Sequence, residues 1–151
     1  MDDIDVSKSM NVLMVEPGKT PHMEEIGSDL KSMQAAVGGY IEAIYPYDDQ
    51  VALVCNEDGK NIGLPLNRAL RDENGEMYDI LAGTFFICGL NEDGFSSLNG
   101  GLADKFNGKF AQPEAFVRLG RSIMAVPIEP KPSTIEKTAD KIKHVADRDA
   151  R

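Results

Sequence analysis

A single polar pair, Asn67-Arg68, interrupts the segment 63–70, whose other residues are mostly apolar and predict a β-strand. The guanidinium of Arg68 must find a partner inside the protein or stay in water, because burying an unpaired guanidinium is very costly. The segment therefore predicts either an internal clamp that holds the fold together or the anion-binding end of a ligand site.

These two interpretations of the pair call for different neighbours. As an internal clamp, Arg68 would pair with Glu42 or Asp79, and Asn67 would cap a helical turn that begins at Ala69. As a ligand site, the planar fork of Arg68 beside the Asn67 amide suits a phosphate or carboxylate together with the edge of a base. The residues alone leave both alternatives open.

Length and charge restrict the domain organisation and the partners. The 151 residues can form one domain with a proper core. The formal net charge of −9 argues against direct binding of nucleic acid or of an anionic membrane, since both attract clustered Lys and Arg. Residues 131–151 carry a net charge of +2, so the other 130 residues carry −11. We expect an acidic body with a mildly basic tail.

The cysteines and the first residues indicate a cellular location. Cys55 and Cys88 both lie in apolar, strand-like runs, which is typical of buried free thiols in a reducing cytoplasm. The start of the chain lacks the pattern of a signal peptide, and no apolar run reaches the length of a membrane span. The sequence therefore predicts a soluble cytoplasmic protein.

Hydrophobic periodicity predicts a single α+β domain over residues 10–125, with a small, mainly antiparallel sheet of about four to five strands. One long amphipathic helix, residues 21–37, is expected to pack on the sheet, with Thr20 as its N-cap and Gly38 ending it. Its apolar stripe would make Leu30→Asp unfold the domain or nearly so. The stripe consists of residues at spacings of three and four: Met23, Ile26, Leu30, Met33 and Val37.

The remaining segments complete the predicted α+β domain. A short second helix is expected within residues 95–110, and residues 113–119 predict a helical turn or an edge segment. Residues 1–9 are expected to be flexible, and residues 126–151 to form a proline-containing linker and a weakly helical tail outside the domain. The predicted strands cover residues 10–15, 40–45, 51–55, 62–66 and 84–90.

The candidate site residues combine cationic and aromatic side chains. Arg68 with Asn67 would form the anionic-ligand end of a pocket, and Lys19 at the predicted helix start could receive an anion. A tyrosine near the predicted hairpin tip would stack on a base or pack in an interface. The candidates for this stacking role are Tyr40, Tyr45 and Tyr47.

The residue pattern predicts no catalytic site, no metal site and no cofactor. His22 and His144 lack partners at metal-ligand or catalytic spacing. The Gly18-Lys19-Thr20 segment imitates the end of a phosphate-binding P-loop, but Leu13 occupies the position of the required first glycine. We therefore expect a protein that is not an enzyme.

Several segments resemble the DUF3846 family, a domain of unknown function found in phages and mobile elements of Gram-positive bacteria. The resemblance spans roughly residues 10–119 and is carried by the segments 16–19, 38–42, 55–57, 64–68 and 79–85, of which Leu64-Pro65-Leu66-Asn67-Arg68 is the most specific. It implies a small α+β fold and a bacterial host cell. It implies no activity and no catalytic residue.

Three functions compete at this point. The first is a non-enzymatic binding protein that captures a small anionic ligand, such as a nucleotide signal of host defence, in the manner of a sponge. The second is an acidic inhibitor of a host protein, or a DNA mimic, that uses the acidic body. The third is a small enzyme. Self-association into a homo-oligomer is compatible with each of them.

Overall fold

The secondary structure is mainly β in the computed structural model, which describes residues 8–131. The described chain contains ten strands and two short helices. The strands are β1 (Ser9–Val15), β2 (His22–Gly27), β3 (Ile41–Ile44), β4 (Val51–Asn56), β5 (Leu66–Arg71), β6 (Met77–Ala82), β7 (Phe85–Asn91), β8 (Gly94–Ser96), β9 (Glu114–Leu119) and β10 (Ser122–Pro127). The helices are α1 (Leu30–Val37) and α2 (Gly100–Lys109).

A six-stranded antiparallel sheet forms the centre of the fold. Its strand order is β2-β1-β7-β4-β3, and β8 pairs with β7 outside this path. The central strands β4 and β7 are almost continuously apolar because both of their faces are covered. Two separate hairpins, β5–β6 and β9–β10, complete the strand pairing.

Side chains alternate between two hydrophobic clusters, one on each face of the sheet. The cluster under α1 includes Met33 and Val37 of the helix together with Val54 and Phe86 of the sheet. The cluster on the opposite face lies under α2 and the β5–β6 hairpin. It includes Leu13, Leu53, Leu70, Leu81, Phe85, Ile87, Phe106 and Phe110.

The predicted α+β class with one long amphipathic helix is wrong. Residues 22–27 form strand β2, which pairs with β1 along its whole length, and α1 begins only at Leu30. The helix start is set by Asp29, whose carboxylate accepts hydrogen bonds from the Ser32 N–H (3.0 Å) and hydroxyl (2.6 Å). Because residues 22–27 pair with β1, the backbone groups along the edge of β1 have hydrogen-bond partners, which a helix at residues 22–27 could not provide.

The predicted apolar stripe of that helix is divided between two elements. Met33 and Val37 are buried under α1 as predicted, and Gly38 ends the helix in the left-handed conformation (φ 78°). Met23 and Ile26 instead belong to β2, where Met23 is exposed. Met33 and Val37 are thus the stripe residues that are fully in the core, while Ile26 packs partly buried against the same cluster from β2.

We now expect Leu30→Asp to leave the stability nearly unchanged, contrary to the prediction from the sequence. Leu30 is 55% exposed in the first turn of α1, where a carboxylate also complements the helix dipole. The free energy of unfolding should change by no more than about 0.5 kcal/mol, as for a substitution on an open surface. The melting temperature should therefore stay close to that of the parent. Val37→Asp, which places the same charge in the cluster under α1, is the matched control and should unfold the domain.

Other local predictions have mixed outcomes. The hairpin of β3 and β4 and the short second helix are present as expected. The strand predicted at 62–66 is absent from the described chain, since residues 57–63 are turns and β5 begins at Leu66. Segment 113–119 is a strand, β9, and the described structure continues beyond residue 125 to Lys131, whose N–H donates to the Gly18 carbonyl (2.7 Å). Residues 1–7 and 132–151, with most of the predicted tail, lie outside the described part.

Candidate functional site

Asn67 lies in the interior of the fold. Its side-chain amide donates to the carbonyls of Val15 (2.9 Å) and Gly83 (2.8 Å), and its Oδ1 accepts from Arg68 Nη1 (2.9 Å). These bonds tie β5 to the end of β1 and to the turn after β6. The predicted helix cap at Ala69 is absent because Asn67 is part of strand β5.

Arg68 is only 1% exposed, and backbone carbonyls surround its guanidinium. Nε donates to the Phe110 carbonyl (3.0 Å) and Nη2 to the Lys19 carbonyl (2.6 Å). Burial lowers the pKa of Arg68 to about 10, and the negative charge of Glu114 opposes this shift, so the side chain stays cationic at neutral pH. The predicted partner Asp79 pairs with Lys60 instead (2.7 Å). These contacts are those of an internal clamp, formed with carbonyls rather than with a carboxylate.

Glu114 extends this buried network from β9. One of its carboxylate oxygens accepts from the Ala69 N–H (2.9 Å), and the other accepts from Arg71 Nη2 (2.6 Å). The side chain is almost fully buried. Its attraction for Arg68 acts through space, since among the described residues these two form no ion pair. The sequence offered no sign of this role, because Glu114 is distant along the chain from β5.

A cleft of about 310 Å³ opens beside the guanidinium of Arg68, and we name it the inner cleft. Arg68, Arg71 and Lys109 line it, together with the amide of Gln112 and the carboxylate of Glu114. Three cationic side chains thus face one anionic side chain. The remaining lining residues are Ala69, Phe110, Ala125 and Pro127.

A wider cleft of about 600 Å³ adjoins the first, and we name it the outer cleft. Arg71 and Lys109 line both clefts, which therefore lie side by side, and we call the two clefts together the groove. Two tyrosines, Tyr47 and Tyr78, supply its aromatic surface. The other lining residues are polar or turn residues: Pro46, Asp48, Asp49, Asp72, Glu73, Asn74 and Lys105.

The aromatic wall of the outer cleft rests on α2. The Tyr47 ring packs against Phe106 with its centroid 4.8 Å away, and Lys109 Nζ lies 5.2 Å from the centre of the same ring. Burial, reinforced by the neighbouring Tyr78, raises the pKa of the Tyr47 hydroxyl far above its ordinary value. Lys105 is held by the carboxylate of Asp49 (2.8 Å). Tyr47 is therefore a rigid, neutral surface at neutral pH.

Of the site residues predicted from the sequence, only Tyr47 and Arg68 line the groove. Lys19 contributes its carbonyl to the Arg68 clamp, while its Nζ lies 3.9 Å from Glu16. Tyr40 and Tyr45 are exposed elsewhere.

The groove residues that were not anticipated as site residues include Arg71, Tyr78 and Lys109. They come from β5, β6 and α2, and no local spacing in the sequence connects them. Only the packing of α2 beside the β5–β6 hairpin brings them together.

The nucleophilic and metal-binding candidates lie outside the groove. Burial raises the pKa of the Cys55 thiol to about 11 and that of Cys88 to about 12, so both are protonated at neutral pH. His22 contacts Glu24 at 3.0 Å on the surface. Within residues 8–131, no three His, Cys, Asp or Glu side chains are arranged to hold a metal ion. No helix in this part of the chain is long and apolar enough to cross a membrane.

Comparison with known proteins gives one match. A family model described as "Domain of unknown function (DUF3846)" matches residues 10–111. No curated protein and no solved structure matches the chain. The matched range contains Arg68, Arg71 and Lys109 but ends before Glu114 and the β9–β10 hairpin.

Proposed function

We propose for this chain, which belongs to the DUF3846 family of unknown function, a role as a non-enzymatic binding protein that captures a small anionic ligand in the groove. The observation that carries the proposal is the shared wall of the two clefts. Arg71 and Lys109 place positive charge where a cleft with cationic lining meets a cleft with aromatic lining.

The inner cleft suits the anionic group of the ligand. Arg68, Arg71 and Lys109 outweigh Glu114 there, within a chain whose net charge is −9. The Arg68 donors are engaged by carbonyls, which leave its charge in place, so Arg68 attracts the anion through space. Arg71 and Lys109 are exposed and can donate directly to a phosphate or carboxylate.

The outer cleft suits an aromatic group that carries hydrogen-bond donors. Tyr47 and Tyr78 offer faces on which a flat ring can stack. The carboxylates on the rim repel a second anionic group and accept from hydroxyl or amino groups. These carboxylates are Asp48, Asp49, Asp72 and Glu73. A phosphate at one end and a base with its sugar at the other describe a nucleotide, so this is the ligand class that we propose.

The proposal includes the biological role that the family resemblance suggested, namely capture of a nucleotide signal of host defence by a phage protein. Non-enzymatic capture is supported by the two cysteine thiols, which are buried and protonated and therefore poor nucleophiles. The inhibitor or DNA mimic and the small enzyme remain the competing functions, and each predicts a different outcome below.

Isothermal titration calorimetry of the full chain against a panel of nucleotides tests the proposal. We expect binding of at least one nucleotide, and we expect Arg71→Ala and Lys109→Ala each to weaken it about tenfold to a hundredfold, as for loss of a charge-assisted hydrogen bond. Lys60→Ala is the matched control because Lys60 lies outside the groove and pairs with Asp79. The nucleotide affinity of Lys60→Ala should equal that of the parent.

Four results would contradict the proposal. If no nucleotide in the panel binds, or if Lys60→Ala weakens binding as much as Lys109→Ala, the groove is not the ligand site. Binding of a host protein that weakens with salt and with charge reversal of many acidic residues would favour the acidic mimic. Conversion of the bound nucleotide, followed by phosphorus NMR, would favour the enzyme.

A further inference from the structure

Within the described residues, no strand pairs with the outer edge of β10, and the chain beyond it forms a bridge with Lys19 only at Lys131. Among residues 8–131, β10 pairs only with β9, in a two-stranded sheet separate from the six-stranded one. A free edge presents a row of backbone donors and acceptors to which another strand can bind. A sheet of two strands alone is also only marginally stable, and pairing with further strands increases its stability.

The backbone groups on this edge can be assigned from one hydrogen bond. The Ile128 N–H donates to the Pro113 carbonyl (3.1 Å), so residue 128 points its backbone groups toward the β9 side. Because these groups alternate along a strand, Ile123 and Ala125 direct their N–H and C=O groups outward. Pro127 lies at an outward position as well, where its missing N–H leaves the hairpin intact.

The side chains along this edge are complementary to a second copy of the same strand. In an antiparallel pair centred on Ala125, Met124 lies opposite Val126 of the second copy. Arg121, in the turn before the strand, comes near Glu129 of the second copy, just past the end of that strand. Met124 is 51% exposed, and Arg121 and Glu129 are exposed as well. In this register the Ile123 N–H of one copy donates to the Pro127 carbonyl of the other, while the reciprocal bond to the Ile123 carbonyl is absent because proline has no N–H.

We propose that two copies of this chain associate through antiparallel pairing of β10 with β10, centred on Ala125. The two-fold axis makes the interface self-complementary, because each apolar contact and each ion pair occurs twice. The two hairpins become one four-stranded sheet. The pairing uses neither Arg71 nor Lys109, although Ala125 and Pro127 of β10 also line the inner cleft.

Sedimentation velocity over a dilution series tests the association. The full chain should form dimers that dissociate on dilution, and Ala125→Pro should be a monomer at every concentration. Proline at this position removes two central hydrogen bonds of the dimer, while in the monomer the N–H points to water, so circular dichroism should stay unchanged. A parent chain that is a monomer throughout overturns the proposal, as does an Ala125→Pro variant that dimerises like the parent.

A charge pair tests the register without a change in the backbone. Arg121→Glu should weaken dimerisation about tenfold because two ion pairs become two repulsions. Arg118→Glu makes the same charge change on β9, outside the β10–β10 interface, and is the matched control. Glu129→Arg should restore dimerisation of the Arg121→Glu variant. Equal effects of Arg118→Glu and Arg121→Glu, or failure of the restoring substitution, would overturn pairing centred on Ala125.

Discussion

Arg68→Ala is expected to lower the free energy of unfolding by about 3–5 kcal/mol, because it leaves buried acceptors without donors and opens a cavity. The acceptors are the carbonyls of Phe110 and Lys19 and the side-chain oxygen of Asn67. These groups belong to three separate parts of the chain, so the loss affects the whole fold. Urea unfolding followed by circular dichroism measures the change.

Arg71→Ala provides the control on the same strand. Its side chain is 42% exposed, but its removal takes one hydrogen bond from the buried Glu114 carboxylate, so the loss should be about 1–2 kcal/mol, smaller than for Arg68→Ala. If Arg68→Ala were as stable as Arg71→Ala, the carbonyl contacts of Arg68 would not hold the fold. The same pair of variants separates stability from binding, since Arg71→Ala should retain the fold and lose affinity for a nucleotide.

Phe106→Ala is the second substitution with a large expected effect. Phe106 is fully buried and is the main anchor of α2 in the cluster beneath it. Truncating a buried phenylalanine costs about 3–5 kcal/mol, because transfer and cavity costs add. The Tyr47 ring would also lose its packing partner. We therefore expect a lower melting temperature in differential scanning calorimetry and weaker nucleotide binding by the remaining folded protein.

Leu102→Ala is the matched change on the same helix. Leu102 is only partly buried against the cluster, so its truncation should cost less stability than Phe106→Ala. It does not line the groove, so the nucleotide affinity should stay unchanged. Equal losses of stability in Leu102→Ala and Phe106→Ala would mean that packing along the whole of α2, rather than Phe106 alone, holds the helix on the cluster.

The elements predicted correctly are those with strong local signals. The β3–β4 hairpin follows from two apolar runs separated by turn residues, and α2 follows from apolar residues spaced by four. The prediction of a helix at residues 21–37 is wrong over its first half. Met23 and Ile26 fit a helical stripe, but pairing of β2 with β1 satisfies the backbone of a sheet edge, and a spacing pattern carries no information about that demand.

The sequence by itself determined that Arg68 had to be accommodated as a cation in an apolar strand, and it left both the clamp and the ligand site open. Only the tertiary structure shows which contacts Arg68 makes. It places the carbonyls of Lys19 and Phe110 around the guanidinium, from segments 49 and 42 residues away. It also moves the candidate ligand contacts to Arg71 and Lys109, because a cleft is formed by surfaces that meet in space, and local residue spacing cannot encode that meeting.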